Sequence, residues 1–262
     1  MLRAFGLTDK GRIRPTNEDC FAIREELGLC VIADGMGGHN AGEVAARLAV
    51  ETVVDLVRTR ASAIGAGRLD ERSVALWPFG YDPTLSADGN LLRTAIYLAN
   101  VQILETAMSD EQYAGMGTTI VAARIANGVL SVAHVGDSRL YLFDGQRLRA
   151  MTLDDSWMAT VLAHDPEVDP LLLQHHPMRN ALTNVVGARS RTDVHVVEAP
   201  LAGGELLLLT TDGVHGVLDE HRIAELLRAD EEPRDIARSV IASALVRGSR
   251  DNCTAVVARY SM

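Results

Sequence analysis

The sequence predicts an α+β layered fold, sheets inside and helices outside, and three observations carry that expectation. Strand-like apolar runs come in clusters, and long amphipathic helical patterns fall between the clusters instead of alternating strictly with the strands. Two hairpin signals, Asn127-Gly128 and Asp144-Gly145, make consecutive strands antiparallel, because both residues of each pair tolerate positive φ.

In chain order the strand-like runs are 2–7, 27–33, 118–125, 129–135, 140–143, 194–197, 206–209 and 254–260, each short, apolar and bounded by Gly, Asp or Asn. The first helical pattern covers 41–60, where Val44, Ala45, Leu48, Ala49, Val53, Leu56 and Val57 share one face at 3.6-residue spacing. Leu92, Ala95, Ile96, Ala99 and Ile103 repeat it within 91–108. A C-terminal helix carries Ile236, Ala237, Val240, Ile241, Ala244 and Leu245, and Pro233 marks its first turn. Between the first two helices, 61–88 reads as a long connection whose cluster Trp77-Pro78-Phe79-Gly80-Tyr81 tethers it to the surface, since a structureless loop of that length is unusual. No repeat, low-complexity stretch or linker divides the chain, so residues 1–262 read as a single domain.

Composition narrows the function. Of 262 residues, 47% are hydrophobic and 23% charged, which supplies a core and excludes disorder. A net charge of −10 repels nucleic-acid phosphates and anionic membrane surfaces, so neither is an expected partner. The chain has no uninterrupted apolar run of about 18 residues and starts with charges where a signal peptide needs apolar residues. Three widely spaced cysteines, Cys20, Cys30 and Cys253, argue against a disulfide framework or thiolate metal site, and the expected setting is the cytoplasm.

The chemical signal is a repetition. Three apolar runs end in an aspartate beside a glycine or next to one: Asp34, Asp137 and Asp212. One Asp-Gly pair after a strand is ordinarily only a turn. Three of them, joined by Asn17-Glu18-Asp19 and by Arg250-Asp251-Asn252, can converge on one edge of a sheet core, and clustered carboxylates stay ionised together only beside divalent cations. All-oxygen ligands favour a hard ion, Mg²⁺ or Mn²⁺, over zinc. The glycines of Asp34-Gly35-Met36-Gly37-Gly38 lack the lysine of a P-loop and the dinucleotide spacing, so they suit close backbone approach, with the Gly35 carbonyl as a ligand, better than a nucleotide.

In order along the chain, Arg14-Pro15-Thr16-Asn17-Glu18-Asp19, Ala33-Asp34-Gly35-Met36-Gly37-Gly38, Gly115-Met116-Gly117-Thr118-Thr119, Gly136-Asp137-Ser138-Arg139, Thr211-Asp212-Gly213 and Ser249-Arg250-Asp251-Asn252 resemble the motifs of the metal-dependent protein phosphatases of bacterial type 2C. The resemblance implies a four-layer α-β-β-α fold: a central β-sandwich of two antiparallel sheets flanked by pairs of helices, with a small flap subdomain at roughly 151–187. It implies that Asp34 bridges two metals and positions the nucleophilic water, that the Gly35 carbonyl, Asp19, Asp212 and Asp251 complete the ligands, and that Asp137 helps hold a third ion. Glu18 would act through water, and Arg14 would grip the phosphate, for which a planar guanidinium is suited. The implied reaction is hydrolysis of phosphoserine and phosphothreonine in proteins by a water shared between two Mn²⁺ or Mg²⁺ ions, with no phosphoenzyme.

Where many eukaryotic relatives carry a histidine that protonates the leaving oxygen, this chain has Met36, and a thioether donates no proton; water held at the Asp137 ion is the expected substitute. His39, three residues on, reads as a surface group, and His134 as a satisfied core residue. The implied partners are phosphorylated proteins, including a serine/threonine kinase or its substrates, and the implied state is a monomer. A phosphoesterase for small esters or phosphohistidine would share this metal chemistry. A pseudophosphatase is disfavoured, because Asp19, Asp34, Asp212, Asp251 and Arg14 are all present.

Overall fold

Period-two alternation builds the layers. A computed structural model describes residues 1–38, 41–65, 77–165, 167–229 and 231–262. In strand β3 (Leu29–Met36), Leu29, Val31 and Ala33 pack outward against helices α1 (Ala41–Gly65) and α2 (Ala87–Ser109), while Cys30 and Ile32 face inward onto a second sheet. On the far side, Leu206 and Leu208 of β10 (Leu206–Thr210) pack outward with α7 (Pro233–Val246), and Leu207 and Leu209 face inward. Both faces of these strands are buried, which is why they read as continuous apolar runs instead of alternating ones.

The remaining strands are β1 (Leu2–Asp9), β2 (Asp19–Arg24), β4 (Gly117–Thr118), β5 (Ile120–Ala126), β6 (Val129–Val135), β7 (Arg139–Phe143), β8 (Leu148–Ala150), β9 (His195–Pro200) and β11 (Cys253–Tyr260). They form a five-stranded sheet in the order β1-β11-β10-β7-β8 and a six-stranded one in the order β2-β3-β5-β6-β9, with β4 paired to β3. Every pairing is antiparallel. The four-layer sandwich is the expected fold.

Several details differ from the sequence reading. The expected strand 118–125 is broken at Thr119 into β4 and β5, and β2, with an apolar run of only Cys20 to Ile23, and β8, three residues long, were not among the expected strands. Asn127 (φ 51°) and Gly128 (φ 74°) make the expected tight turn between β6 and β5. Gly136-Asp137-Ser138, however, carries the chain from one sheet to the other, because β6 and β7 lie in different sheets. Asp34 is inside a strand, since Gly35 and Met36 continue it by pairing with Thr118 and Gly117. Four shorter helices complete the described elements: α3 (Trp157–His164), α4 (Pro170–Leu173), α5 (Asp212–His215) and α6 (Glu220–Leu227), each too short to show a helical period in the sequence.

The aromatic tether holds. Trp77 is buried against Tyr81 with ring centroids 5.3 Å apart, and Phe79 sits 5.2 Å from Tyr97 of α2. Residues 66–76 of that connection, and His39, lie outside the described residues. Among the described residues no helix is long and apolar enough to cross a membrane.

Candidate active site

Strand register brings the acidic residues together. Asp19 and Asp34 stand directly opposite each other on β2 and β3, and Asp34 shares the parity of Cys30 and Ile32, so it points between the sheets. On the other sheet Thr254 shares the parity of Val256, and Thr211 that of Leu209. Their hydroxyls meet Asp19 in the gap: Thr211 Oγ1 and Thr254 Oγ1 donate to Asp19 Oδ2 at 2.9 and 2.6 Å. Asp212 follows Thr211 and opens α5, Asp251 precedes β11, and Asp137 sits in the crossover.

Arg14, Glu18, Asp34, Asp137, Asp212 and Asp251 thus line one cavity of about 240 Å³, with Asn180 and Leu182 of the flap segment on its rim. Asp19, buried beneath, is not on the cavity wall. Among the described residues no three Asp, Glu, His or Cys side chains close into a ready ligand cage; the carboxylates ring the cavity, as mutual repulsion requires. Gly35 is there because nothing larger fits: a β-carbon would lie 2.0 Å from the Gly42 carbonyl oxygen and 2.7 Å from that of Glu18. Asn252 latches the loops, its Oδ1 accepting from Glu18 N–H at 2.8 Å and its Nδ2 donating to the carbonyls of Lys10 and Thr16, both at 2.9 Å.

The electrostatics are those of acids crowded out of water. Burial first, then the neighbouring carboxylates, pushes Asp34 well above the usual carboxylate range. Burial likewise raises Asp19 and Asp137 to about 7, and burial with the Asp251 carboxylate raises Asp212. Asp19 Oδ1 and Asp212 Oδ1 are buried with no hydrogen-bond partner among the described residues. Buried oxygens without donors, on acids that repel one another, fit a divalent cation and no neutral ligand. Arg14 Nη2 donates to Asp251 Oδ2 at 2.6 Å, using one of five N–H donors beside the acids.

Among the described residues no histidine lines the acidic cavity. His134 is in the core as expected, but it is not satisfied: Nδ1 lacks a partner among the described residues, and burial lowers its pKa to about 4, so it is neutral. His215 is partly buried with Nδ1 2.9 Å from Thr210 Oγ1, and His176 stacks on Trp157 with centroids 4.3 Å apart. Thr211, Thr254 and the latch of Asn252 were not legible as functional, although inward parity next to a motif aspartate would have found the threonines.

An acid-lined cleft at the mouth of a four-layer sandwich, with one arginine beside it, defines a metal-dependent phosphoesterase class. Residues 15–241 match the model of the family described as protein phosphatase 2C. The chain belongs to the protein phosphatase 2C family and is a protein phosphatase. It is 31% identical to the serine/threonine phosphatase stp of Listeria welshimeri over 258 residues, covering 97% of this chain and 94% of that protein. The structure is similar to that of the Mycobacterium tuberculosis serine/threonine phosphatase PstP/Ppp, with TM-score 0.81, 29% identity, and coverage of 100% of this chain and 99% of that one. It is also similar to the PstP catalytic domain in complex with two manganese ions, with TM-score 0.78, 28% identity, and coverage of 100% and 99%.

Proposed function

We propose that the chain hydrolyses phosphoserine and phosphothreonine in proteins with the help of Mn²⁺ or Mg²⁺. The observation that carries this reading is the convergence of Asp34, Asp212, Asp251 and Asp137 from both sheets, with buried, unpartnered carboxylate oxygens, beside Arg14. Asp19, Asp34, the Gly35 carbonyl, Asp212 and Asp251 would hold two ions, and Asp137 would help hold a third. Bound there, the ions supply Lewis acidity, lowering the pKa of a coordinated water and offsetting phosphoryl charge. Asp34 orients the attacking water, Arg14 orients the phosphate, and the Thr211 and Thr254 hydroxyls fix Asp19. Met36 lines the cavity but has no proton to donate, and water near Asp137, on the same cavity wall, would be the proton source for the leaving oxygen. The same reading makes phosphorylated proteins the partners, among them a serine/threonine kinase or its substrates, and has the chain act as a monomer in the cytoplasm.

The test is phosphate release from phosphoserine, phosphothreonine, phosphotyrosine and phosphohistidine peptides. Release from the first two with Mn²⁺ or Mg²⁺, abolished by EDTA, is expected; undiminished turnover after complete metal removal would sink the reading. Activity should also survive thiol alkylation, because burial raises the Cys30 and Cys253 thiols to about 12 and about 11 and leaves little thiolate. Arg14→Ala should cost about 1.5–3 kcal/mol, roughly 13- to 160-fold in kcat/KM, by removing hydrogen bonds to a charged group. Unchanged kcat and KM would refute the phosphate-gripping role.

A further inference from the structure

Two consecutive aspartates stand where the flap segment leaves the sandwich, and they reach different partners. Asp154 accepts two parallel hydrogen bonds from Arg139, at 2.8 and 2.7 Å. Asp155 is a junction. Its Oδ2 accepts from Gly136 N–H at 2.9 Å and Asn184 Nδ2 at 2.8 Å, and its Oδ1 lies 2.9 Å from His195 Nε2. Its backbone N–H donates to the Gly136 carbonyl at 3.0 Å, and its carbonyl accepts from Thr183 N–H at 2.8 Å.

Gly136 is therefore gripped at both its N–H and its carbonyl by one residue, and Asp137 is next in the chain. The turn has little room to settle elsewhere: Gly136 has φ +96°, and a β-carbon there would lie 2.7 Å from the Thr119 side chain. On the other side, Thr183 and Asn184 follow Leu182, which bridges Ser156 and lines the cavity with Asn180. His195 completes the junction from β9. It is cross-strand to His134 and stacks on it with centroids 5.0 Å apart. Beside His134, His195 Nε2 hydrogen-bonds the Asp155 carboxylate, and that bond raises the pKa of His195.

We propose that Asp155, braced by His195, is a positioning residue that holds the Asp137 turn and the returning flap segment in register, so that one carboxylate sets two walls of the active site. This rests on the reading of Asp137 as a holder of the third ion. Partners of this kind orient ligands without touching the metal.

The test compares Asp155→Ala, Asp155→Asn, His195→Ala and Asp137→Ala by three measurements: the Mn²⁺ concentration for half-maximal phosphopeptide hydrolysis, calorimetric binding of Mn²⁺ at the two tighter sites, and the rate of limited proteolysis within 158–181 in metal-free protein. Asp155→Ala is expected to raise the Mn²⁺ demand about tenfold or more, leave the two tighter ions bound, and speed flap cleavage. Asp155→Asn keeps a carbonyl oxygen for Gly136 and Asn184 and should recover most of the loss. His195→Ala, at a half-exposed position, should show a smaller shift of the same kind and decides the matter if Asp155→Ala fails to fold. Wild-type Mn²⁺ demand in both Asp155→Ala and His195→Ala overturns the proposal, and so does faster cleavage with unchanged Mn²⁺ demand, which would leave Asp155 a flap anchor only. If Asp137→Ala itself has wild-type Mn²⁺ demand, the reading of Asp137 falls; if it is shifted while Asp155→Ala is not, only the junction falls.

Discussion

Asp34→Asn and Asp212→Asn should each lower kcat on a phosphopeptide by on the order of 10³-fold or more, while the metal-free protein stays folded and melts no lower at neutral pH than the wild type. The two halves of this expectation come from one fact. The two carboxyls line the same cavity, are partly shielded from water, and are pushed above the usual range by desolvation and by neighbouring acids. An amide keeps the shape but abolishes the negative charge needed at a cation, so the chemistry is lost. The same change removes a buried charge that opposes its neighbours, so the fold loses nothing. Steady-state kinetics with thermal melts in EDTA checks both. Activity within tenfold of wild type would show that these acids are not at the reacting centre, and a collapsed melt would show them to be structural.

What the sequence made legible follows from how deeply each element is buried. β3 and β10 are covered on both faces, so their apolar runs could be read directly. β2 and β8 are short and half-covered, and their partners are set by tertiary register, which no local pattern encodes. The aspartates were visible because Asp beside Gly recurs. Their convergence needed the register of Asp19 with Asp34 and the crossover at Asp137, and neither is a local property. Asp155 illustrates the limit: it reads as half of an acidic pair in a surface segment, and only the fold brings Gly136, Asn184 and His195 to its oxygens.

The metal-free protein should lose stability as pH rises from about 4 to 7, and divalent metal should restore it most at the upper end. Asp19 and Asp137 have folded-state pKa values raised to about 7 from the ordinary 3.8, and Asp34 and Asp212 shift in the same direction. The folded state therefore holds protons that the unfolded chain releases. This contribution is fully present below the unfolded pKa and disappears as pH climbs through the folded one. Asp155 and Glu198 shift the other way, held low by hydrogen bonds that outweigh their burial, and His134 and His215, whose pKa values burial lowers, also gain stability as pH rises to the ordinary histidine value, so the loss from the acids shows most clearly in the upper part of this window. A divalent ion that binds only the native state adds about 2.7 kcal/mol at a hundred times its Kd, which for a domain this large is roughly 5–10 °C in Tm. At pH 5 protons compete for the same oxygens, so the Mn²⁺-induced rise in Tm should be much smaller there than at pH 7.5. Asp34→Asn and Asp212→Asn should flatten the pH dependence and shrink the metal response, because each removes one of the acids that titrate. Melts of EDTA-treated protein between pH 5 and 8 decide the point: a wild-type Tm that changes with pH just as the Asp34→Asn and Asp212→Asn Tm values do would mean the acids remain ionised without a cation.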